Sequence, residues 1–225
     1  MKVCIITTAY NEAKHIKAVL QSLSELGFPT LVVDDGSTDQ TAEFARNAGA
    51  EVITNSRNEG KGASLQKGFE RGFQHGHDTF ILLDSDGQHH SSDIPKFIEA
   101  RKQGFLFVMG NRFHDPMEMP LVRLWTNRFL SKILSLMTRQ PLPDGMSGFR
   151  LIDGQLLASL ALRGKRFEYE TEMVLAAAKA GVKIHFVPVQ CLYGGEKSDI
   201  HVGRDTFRLV CLLVRMAWPR FFNRY

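Results

Sequence analysis

Three short apolar runs in the first part of this chain each stop at a polar, mostly acidic turn. Lys2–Thr7 leads into Ala9-Tyr10-Asn11-Glu12, Thr30–Val33 into Asp34-Asp35-Gly36-Ser37-Thr38-Asp39, and Thr79–Leu83 into Asp84-Ser85-Asp86-Gly87-Gln88. Apolar runs bounded by turn formers read as buried strands. Helical patterns lie between them. Ile16, Val19, Leu20 and Leu23 share one face of a segment from Glu12 to Leu26, with Gly27 as its stop. Ser37 or Thr38 is placed to cap a helix to Asn47, and Gly60-Lys61-Gly62 opens one through Phe73. Glu51–Thr54 and Phe105–Met109 add two strands, and Ser92 opens a helix to Lys102 with Pro95 in its first turn. Strands alternating with helices in this way predict βαβ units and an α/β fold with a mostly parallel sheet.

Such a sheet binds ligands outside the carboxyl ends of its strands. All three acidic turns fall on that edge. Asp84 and Asp86, one residue apart, offer two hard oxygen ligands that suit Mg²⁺ or Mn²⁺ bridged to a diphosphate, and Gln88 can add a carbonyl oxygen. The same residue types also make ordinary turns. The convergence of three such turns on one edge is what a turn alone does not account for. Gly60-Lys61-Gly62 lacks the glycine spacing and the Ser/Thr of a P-loop. It reads either as a flexible surface loop or as a backbone and lysine near phosphates at a helix amino terminus.

Charge divides the chain. Residues 1–118 carry 12 basic and 16 acidic side chains, and residues 119–225 carry 16 and 8. The acidic part suits a metal, and the basic part an anionic partner such as a lipid phosphate or nucleic acid. Leu121–Arg139 holds many apolar residues, and its charges (Arg123, Arg128, Lys132 and Arg139) are all basic. It reads as a helix lying in a membrane interface or as a core or dimer helix with solvated cations. Asp144-Gly145-Met146-Ser147-Gly148-Phe149-Arg150 is a turn leading into an extended piece. Glu170–Ala180 reads as a helix, Lys183–Val189 as a strand, and Asp205–Trp218 as an apolar tail able to lie on a bilayer. No run is long enough to span one, and the amino terminus does not read as a signal peptide. Three scattered cysteines, Cys4, Cys191 and Cys211, outline no disulfide framework, which points to the cytoplasm. No nucleic-acid-binding motif accompanies the basic residues.

The turns at Ala9–Glu12, Asp34–Asp39, Gly60–Gly62 and Asp84–His89 resemble the successive motifs of family-2 glycosyltransferases of the GT-A fold. Gly110-Asn111-Arg112, Asp144 with Ser147-Gly148-Phe149-Arg150, and Lys197-Ser198 resemble the branch of dolichyl-phosphate mannose synthases and bacterial polyprenyl-phosphate glycosyltransferases. The resemblance runs through nearly the whole chain, in order. It implies one catalytic domain over 1–225 with a Rossmann-like sheet. Residues 1–118 would serve donor and metal, and 119–225 the acceptor and membrane interface. It further implies inverting transfer of a hexose from a GDP- or UDP-linked sugar to a polyprenyl phosphate, peripherally on the cytoplasmic membrane face, with no nucleic-acid partner. By position, Ala9, Tyr10, Glu12, Asp35, Lys61, Asp84 and Ser85 would bind the donor. Asp84, Asp86 and Gln88 would hold the metal. Arg112, Arg123, Arg128, Lys197 and Arg204 would hold the acceptor phosphate, with Asp86, Arg112 and Asp144 nearest the chemistry.

A phosphate monoester is largely dianionic near neutrality, its second pKa being about 6, so it needs cations more than a base. A hydroxyl acceptor would need a carboxylate base. Asp144, Glu170 and Glu172 are the candidates, each also at home in a turn or on a helix face. A transferase acting on a hydroxyl of a glycan, lipid or small molecule, or a non-catalytic nucleotide-sugar or lipid-phosphate binding module, are the alternatives.

Overall fold

The computed structural model describes residues 1–114 and 119–192. A seven-stranded sheet has the order β3-β2-β1-β4-β6-β5-β7. Its strands are β1 (Val3–Ala9), β2 (Thr30–Asp34), β3 (Glu51–Thr54), β4 (Thr79–Leu82), β5 (Phe107–Asn111), β6 (Arg150–Asp153) and β7 (Ile184–Pro188). The helices are α1 (Ile16–Ser24), α2 (Thr41–Asn47), α3 (Lys61–Gln74), α4 (Ile94–Lys102), α5 (Leu121–Thr138), α6 (Gly154–Ser159) and α7 (Glu168–Lys179). The mostly parallel α/β sheet expected from the alternation is present.

Alternation along the strands divides the core in two. Cys4 and Ile6 of β1 join Phe69 of α3, Phe80, Phe107 and Met173 of α7 on one face. Val3 and Ile5 join Leu20 of α1, Ile94 and Phe97 of α4 and Val108 on the other. Successive side chains of a strand point to opposite faces, so both layers draw on the same short runs.

One strand runs against the rest. β6 is antiparallel to both β4 and β5, with Arg150 level with Leu82 and Met109. The connection after β5, which contains α5, returns to the edge at which β5 ended. The next strand therefore enters the sheet in the opposite direction, wedged between β4 and β5. The sequence pattern located the extended piece but not its direction, since a short buried strand reads alike both ways.

Local capping also differs. No side chain caps α2 or α4. Ser37 Oγ instead accepts from the Asn11 backbone N–H at 2.9 Å, and the Thr38 N–H donates to Asn11 Oδ1 at 2.8 Å. These residues stitch the turns after β1 and β2 together. Ser92 sits in a 3₁₀ turn, Ser91–Asp93, ahead of α4. Gly27, Gly49 and Gly181 stand beyond helix ends with positive φ, as helix-stop glycines do. Among the described residues no helix is long and apolar enough to cross a membrane.

Candidate active site

The site forms where β1, β2, β4 and β5 end and β6 begins. The turn after β1 makes one wall. The Asp35 N–H bonds to the Ala9 carbonyl at 2.8 Å, and the Glu12 N–H to Thr41 Oγ1 at 2.8 Å. Asn11 takes a left-handed φ of 56°, turning the chain so that Tyr10 stays exposed beside it. Asp35 is buried, and its oxygens accept from Asn55 Nδ2 at 2.8 Å and from the backbone N–H groups of Glu59 at 2.9 Å and Gly60 at 2.8 Å. This carboxylate thus holds the loop that delivers Lys61.

That loop is not a flexible one. Gly60 has φ 101°, and a Cβ there would lie 2.6 Å from the Lys165 carbonyl oxygen. A Cβ on Gly62 would lie 2.6 Å from Tyr169 Cβ. Only glycine lets the first turn of α3 pack this closely on the start of α7. The result aims Lys61 inward. Its Nζ lies 2.6 Å from Asp84 Oδ1 and 2.8 Å from Glu170 Oε2. Burial alone would lower the lysine pKa, but the two carboxylates overcome it and hold the ammonium protonated well above its usual range. For Asp84 burial acts upward, but the Lys61 ammonium beside it outweighs burial and holds the carboxyl well below the ordinary carboxylate range.

Asp84 and Asp86 follow β4 directly. Asp86 Oδ1 accepts from the Gln88 N–H at 3.0 Å, closing the turn, and Ser85 Oγ donates to the Thr8 carbonyl at 2.8 Å, fastening it to β1. The Gln88 carbonyl accepts from the Leu192 N–H at 2.9 Å. Across from Asp84 stands Gly148, where a Cβ would lie 2.5 Å from Asp84 Oδ2. The missing side chain leaves room on the carboxylate face that a cation would approach. Among the described residues no three His, Cys, Asp or Glu side chains gather into a metal cluster. Two carboxylates on one turn, with space beside Asp84, fit an ion that takes its other ligands from diphosphate oxygens and water, as Mg²⁺ does.

A second charged cluster is built from β5, α5 and the turn before β6. Asp144 is fully buried and Arg112 nearly so. Asp144 accepts from Arg112 Nε at 2.8 Å, from a terminal guanidinium nitrogen at 2.9 Å and from the Arg112 backbone N–H at 3.1 Å. This bidentate fork fixes the guanidinium plane. Arg128, exposed on α5, lies with its guanidinium carbon 5.7 Å from the Phe113 ring centre, beside Arg112. Arg123 is half-buried on the same helix. Lys197, Arg204 and the apolar tail lie outside the described residues, as does Cys211.

Several residues here escaped sequence reasoning. Glu170 and Glu172, which the sequence offers as candidate bases or as members of a helix face, are both buried. Glu172 Oε2 accepts from the N–H groups of Arg163 at 2.8 Å and Gly164 at 2.7 Å. Arg150 is almost completely buried; its Nε donates to the Ser147 carbonyl at 2.6 Å and a terminal nitrogen to the Glu170 carbonyl. His89 packs on Phe149 with ring centres 5.2 Å apart, and burial chiefly pushes its pKa down to about 4, so it is neutral near pH 7. Among the described residues His89 Nδ1, Ser147 Oγ and Glu170 Oε1 are buried without a hydrogen-bond partner. The available signal was the run Tyr169-Glu170-Thr171-Glu172-Met173, whose acids interrupt an otherwise buried stretch. Acidic side chains are almost never fully buried unless they are paired.

The comparisons with known proteins agree with this geometry. Residues 4–160 match the family described as glycosyl transferase family 2. Glycosyltransferase AglJ of Haloferax volcanii is 34% identical over 203 residues, spanning 89% of this chain and 66% of that protein, just under two thirds. The UDP-N-acetylglucosamine–dolichyl-phosphate N-acetylglucosaminyltransferase of Methanococcus voltae is 30% identical over 213 residues, spanning 84% of this chain and 85% of that one. A crystal structure of glucosyl-3-phosphoglycerate synthase from Mycobacterium tuberculosis, in complex with Mn²⁺, UDP and phosphoglyceric acid, has a TM-score of 0.78 at 20% identity, covering 96% of this chain and 78% of that chain. At such identity the likeness speaks for the GT-A fold alone. A βα sheet carrying its acidic turns on one edge, and a match across well over half of the chain, make this protein a member of glycosyl transferase family 2.

Proposed function

We propose that this glycosyltransferase moves a hexose from a nucleotide sugar to a polyprenyl phosphate, with inversion at the anomeric carbon. One observation carries the choice of acceptor. The three carboxylates that the sequence offers as bases are each paired: Asp144 with Arg112, one oxygen of Glu170 with Lys61, and Glu172 with two backbone N–H groups. What the site offers an acceptor is cations, and a phosphate dianion needs no base. The Methanococcus voltae relative is named for transfer to dolichyl phosphate, which supports the same reading.

In this reading the turns at Ala9–Glu12 and Asp35 shape the nucleoside pocket, with Tyr10 at its rim. Asp84 and Asp86, with Gln88, hold Mg²⁺ or Mn²⁺ against the donor diphosphate. The bound ion supplies Lewis-acid neutralisation of the leaving diphosphate. Lys61 adds a fixed positive charge beside it, and Ser85 keeps the turn on β1. Arg112, oriented by Asp144, receives the acceptor phosphate together with Arg123 or Arg128, and Lys197 and Arg204 are assigned the same task. Bringing one anion to another is the electrostatic obstacle in this reaction, and prearranged cations lower it without reorganising.

α5 supports a peripheral membrane position. Its Leu121, Val122, Trp125, Phe129 and Leu136 are strongly exposed, alongside exposed Arg128 and Lys132. A groove of about 460 Å³ lies between Ser131, Ser135 and Leu142, with Arg128 and Lys132 among its lining. Apolar residues beside cations suit an anionic lipid surface. Leu130 and Ile133 are half-buried, so Trp125 and Phe129 are the residues to test. Replacing both with Glu is expected to weaken vesicle binding at least about tenfold, since burying each large apolar side chain contributes up to roughly 1.5–3 kcal/mol. Sedimentation with anionic vesicles checks it, and unchanged binding would remove α5 from the interface.

The acceptor is tested with radiolabelled UDP- and GDP-sugars plus Mn²⁺, offered undecaprenyl phosphate, dolichyl phosphate, 3-phosphoglycerate and a panel of sugar hydroxyls. Label entering only the polyprenyl phosphates is the expected result. Label entering only hydroxyls would reject the proposal.

A further inference from the structure

A divalent ion at Asp84 has to contend with a cation already there. Lys61 Nζ lies 2.6 Å from Asp84 Oδ1, and the lysine side chain is only 15% exposed. Its second partner, Glu170 Oε2, lies 2.8 Å away on α7, opposite the acidic turn. Among the described residues Glu170 Oε1 makes no hydrogen bond, and Arg150 Nε lies 4.0 Å from it. The ammonium therefore has two seats: one on a metal-ligand candidate, the other on a carboxylate outside the acidic turn. An ammonium displaced from Asp84 with no second seat would be a buried, unpaired charge, which is costly.

We infer that Glu170 is a positioning residue that retains Lys61 inside the site when Asp84 takes up a divalent cation. Lys61 neutralises Asp84 while no ion is bound. As Asp84 turns to the ion, Glu170 keeps the ammonium beside the diphosphate position rather than letting it bind Asp84 alone. The pair thereby sets how tightly the acidic turn binds metal before donor arrives. Gly60 and Gly62 serve the same end, because the close approach of α3 to α7 is what puts Lys61 within reach of Glu170. This inference rests on the reading of Asp84 as a metal ligand, and goes beyond it by assigning a role to a residue outside the acidic turn.

The test titrates Mn²⁺ alone into the full chain, followed by electron paramagnetic resonance, with thermal melts to verify folding. Lys61→Met keeps the apolar stem and removes the competitor, so Mn²⁺ affinity should rise about fivefold or more. Glu170→Gln leaves Lys61 with Asp84 as its only carboxylate, so affinity should fall by about as much; groups in one ion-pair network couple at this level. In the double variant the Glu170→Gln change should have no further effect. Equal weakening by Glu170→Gln in both backgrounds would mean that Glu170 acts through its negative field alone, and would overturn the inference. So would weaker Mn²⁺ binding by Lys61→Met. Should Glu170→Gln fail to fold, Glu170→Met carries the same cycle. Asp84→Asn separates the two failures: if it binds Mn²⁺ like the wild type, the metal site itself is misplaced. If it loses Mn²⁺ while the cycle shows no coupling, only the role of Glu170 falls.

Discussion

Replacing Asp86 with Asn is expected to lower turnover about 10²–10³-fold, comparable to losing a group that stabilises developing charge, or roughly 2.7–4 kcal/mol. The substitution isolates charge from shape. Asp86 accepts the Gln88 N–H through one oxygen at 3.0 Å, and an asparagine carbonyl can accept the same bond. The turn should therefore survive, with stability changed by less than about 0.5 kcal/mol. What disappears is one of the two carboxylates that follow β4, to which the proposal assigns the metal. Turnover should partly recover at high Mn²⁺ if the lost interaction is with the ion. The measurement is donor consumption against Mn²⁺ concentration beside a thermal melt. A variant that turns over like the wild type would detach Asp86 from the chemistry.

The second large effect is on stability. Asp144→Ala should destabilise the protein by about 3–5 kcal/mol, because it removes the carboxylate that forks onto the buried Arg112 guanidinium. For a chain of this size each kcal/mol moves the melting temperature by about 2–4 °C, so a fall of roughly 6–20 °C is expected. The paired change Arg112→Leu with Asp144→Leu distinguishes folding from function. Replacing a buried ion pair by apolar residues is often neutral or stabilising, so much of the melting temperature should return. Transfer to a phosphate acceptor should not return, because the oriented cation is gone. Activity recovered with stability would reduce Arg112 and Asp144 to scaffolding. Calorimetry and the labelled-donor assay read the two halves.

Much of the edge with the acidic turns was legible in the chain. β1, β2 and β4 announce themselves as apolar runs, and each ends in a turn rich in acids or amides. The period of two and the helical spacing between runs suffice to put those turns on one edge. Glycine stops at Gly27, Gly49 and Gly181 were equally readable, because positive φ is a local demand. Ser37 and Thr38 were misread for an instructive reason. A cap and a cross-loop bond use the same hydroxyl, and only the position of Asn11 decides between them.

What the sequence by itself determined is the set of strands, their order of appearance and the chemical character of their ends. These depend on local periodicity and on the conformational demands of single residues. Tertiary structure decided which charges meet. The reversal of β6 brings Ser147 and Gly148 to the edge where Asp84 waits, and two glycines let α3 close on α7 so that Lys61 reaches Glu170. Asp144 became the seat of Arg112, 32 positions away in the chain, instead of an open carboxylate. Pairings of this kind depend on distances across the sheet. No local pattern encodes them, because the desolvation that forces buried charges together exists only once the layers have packed.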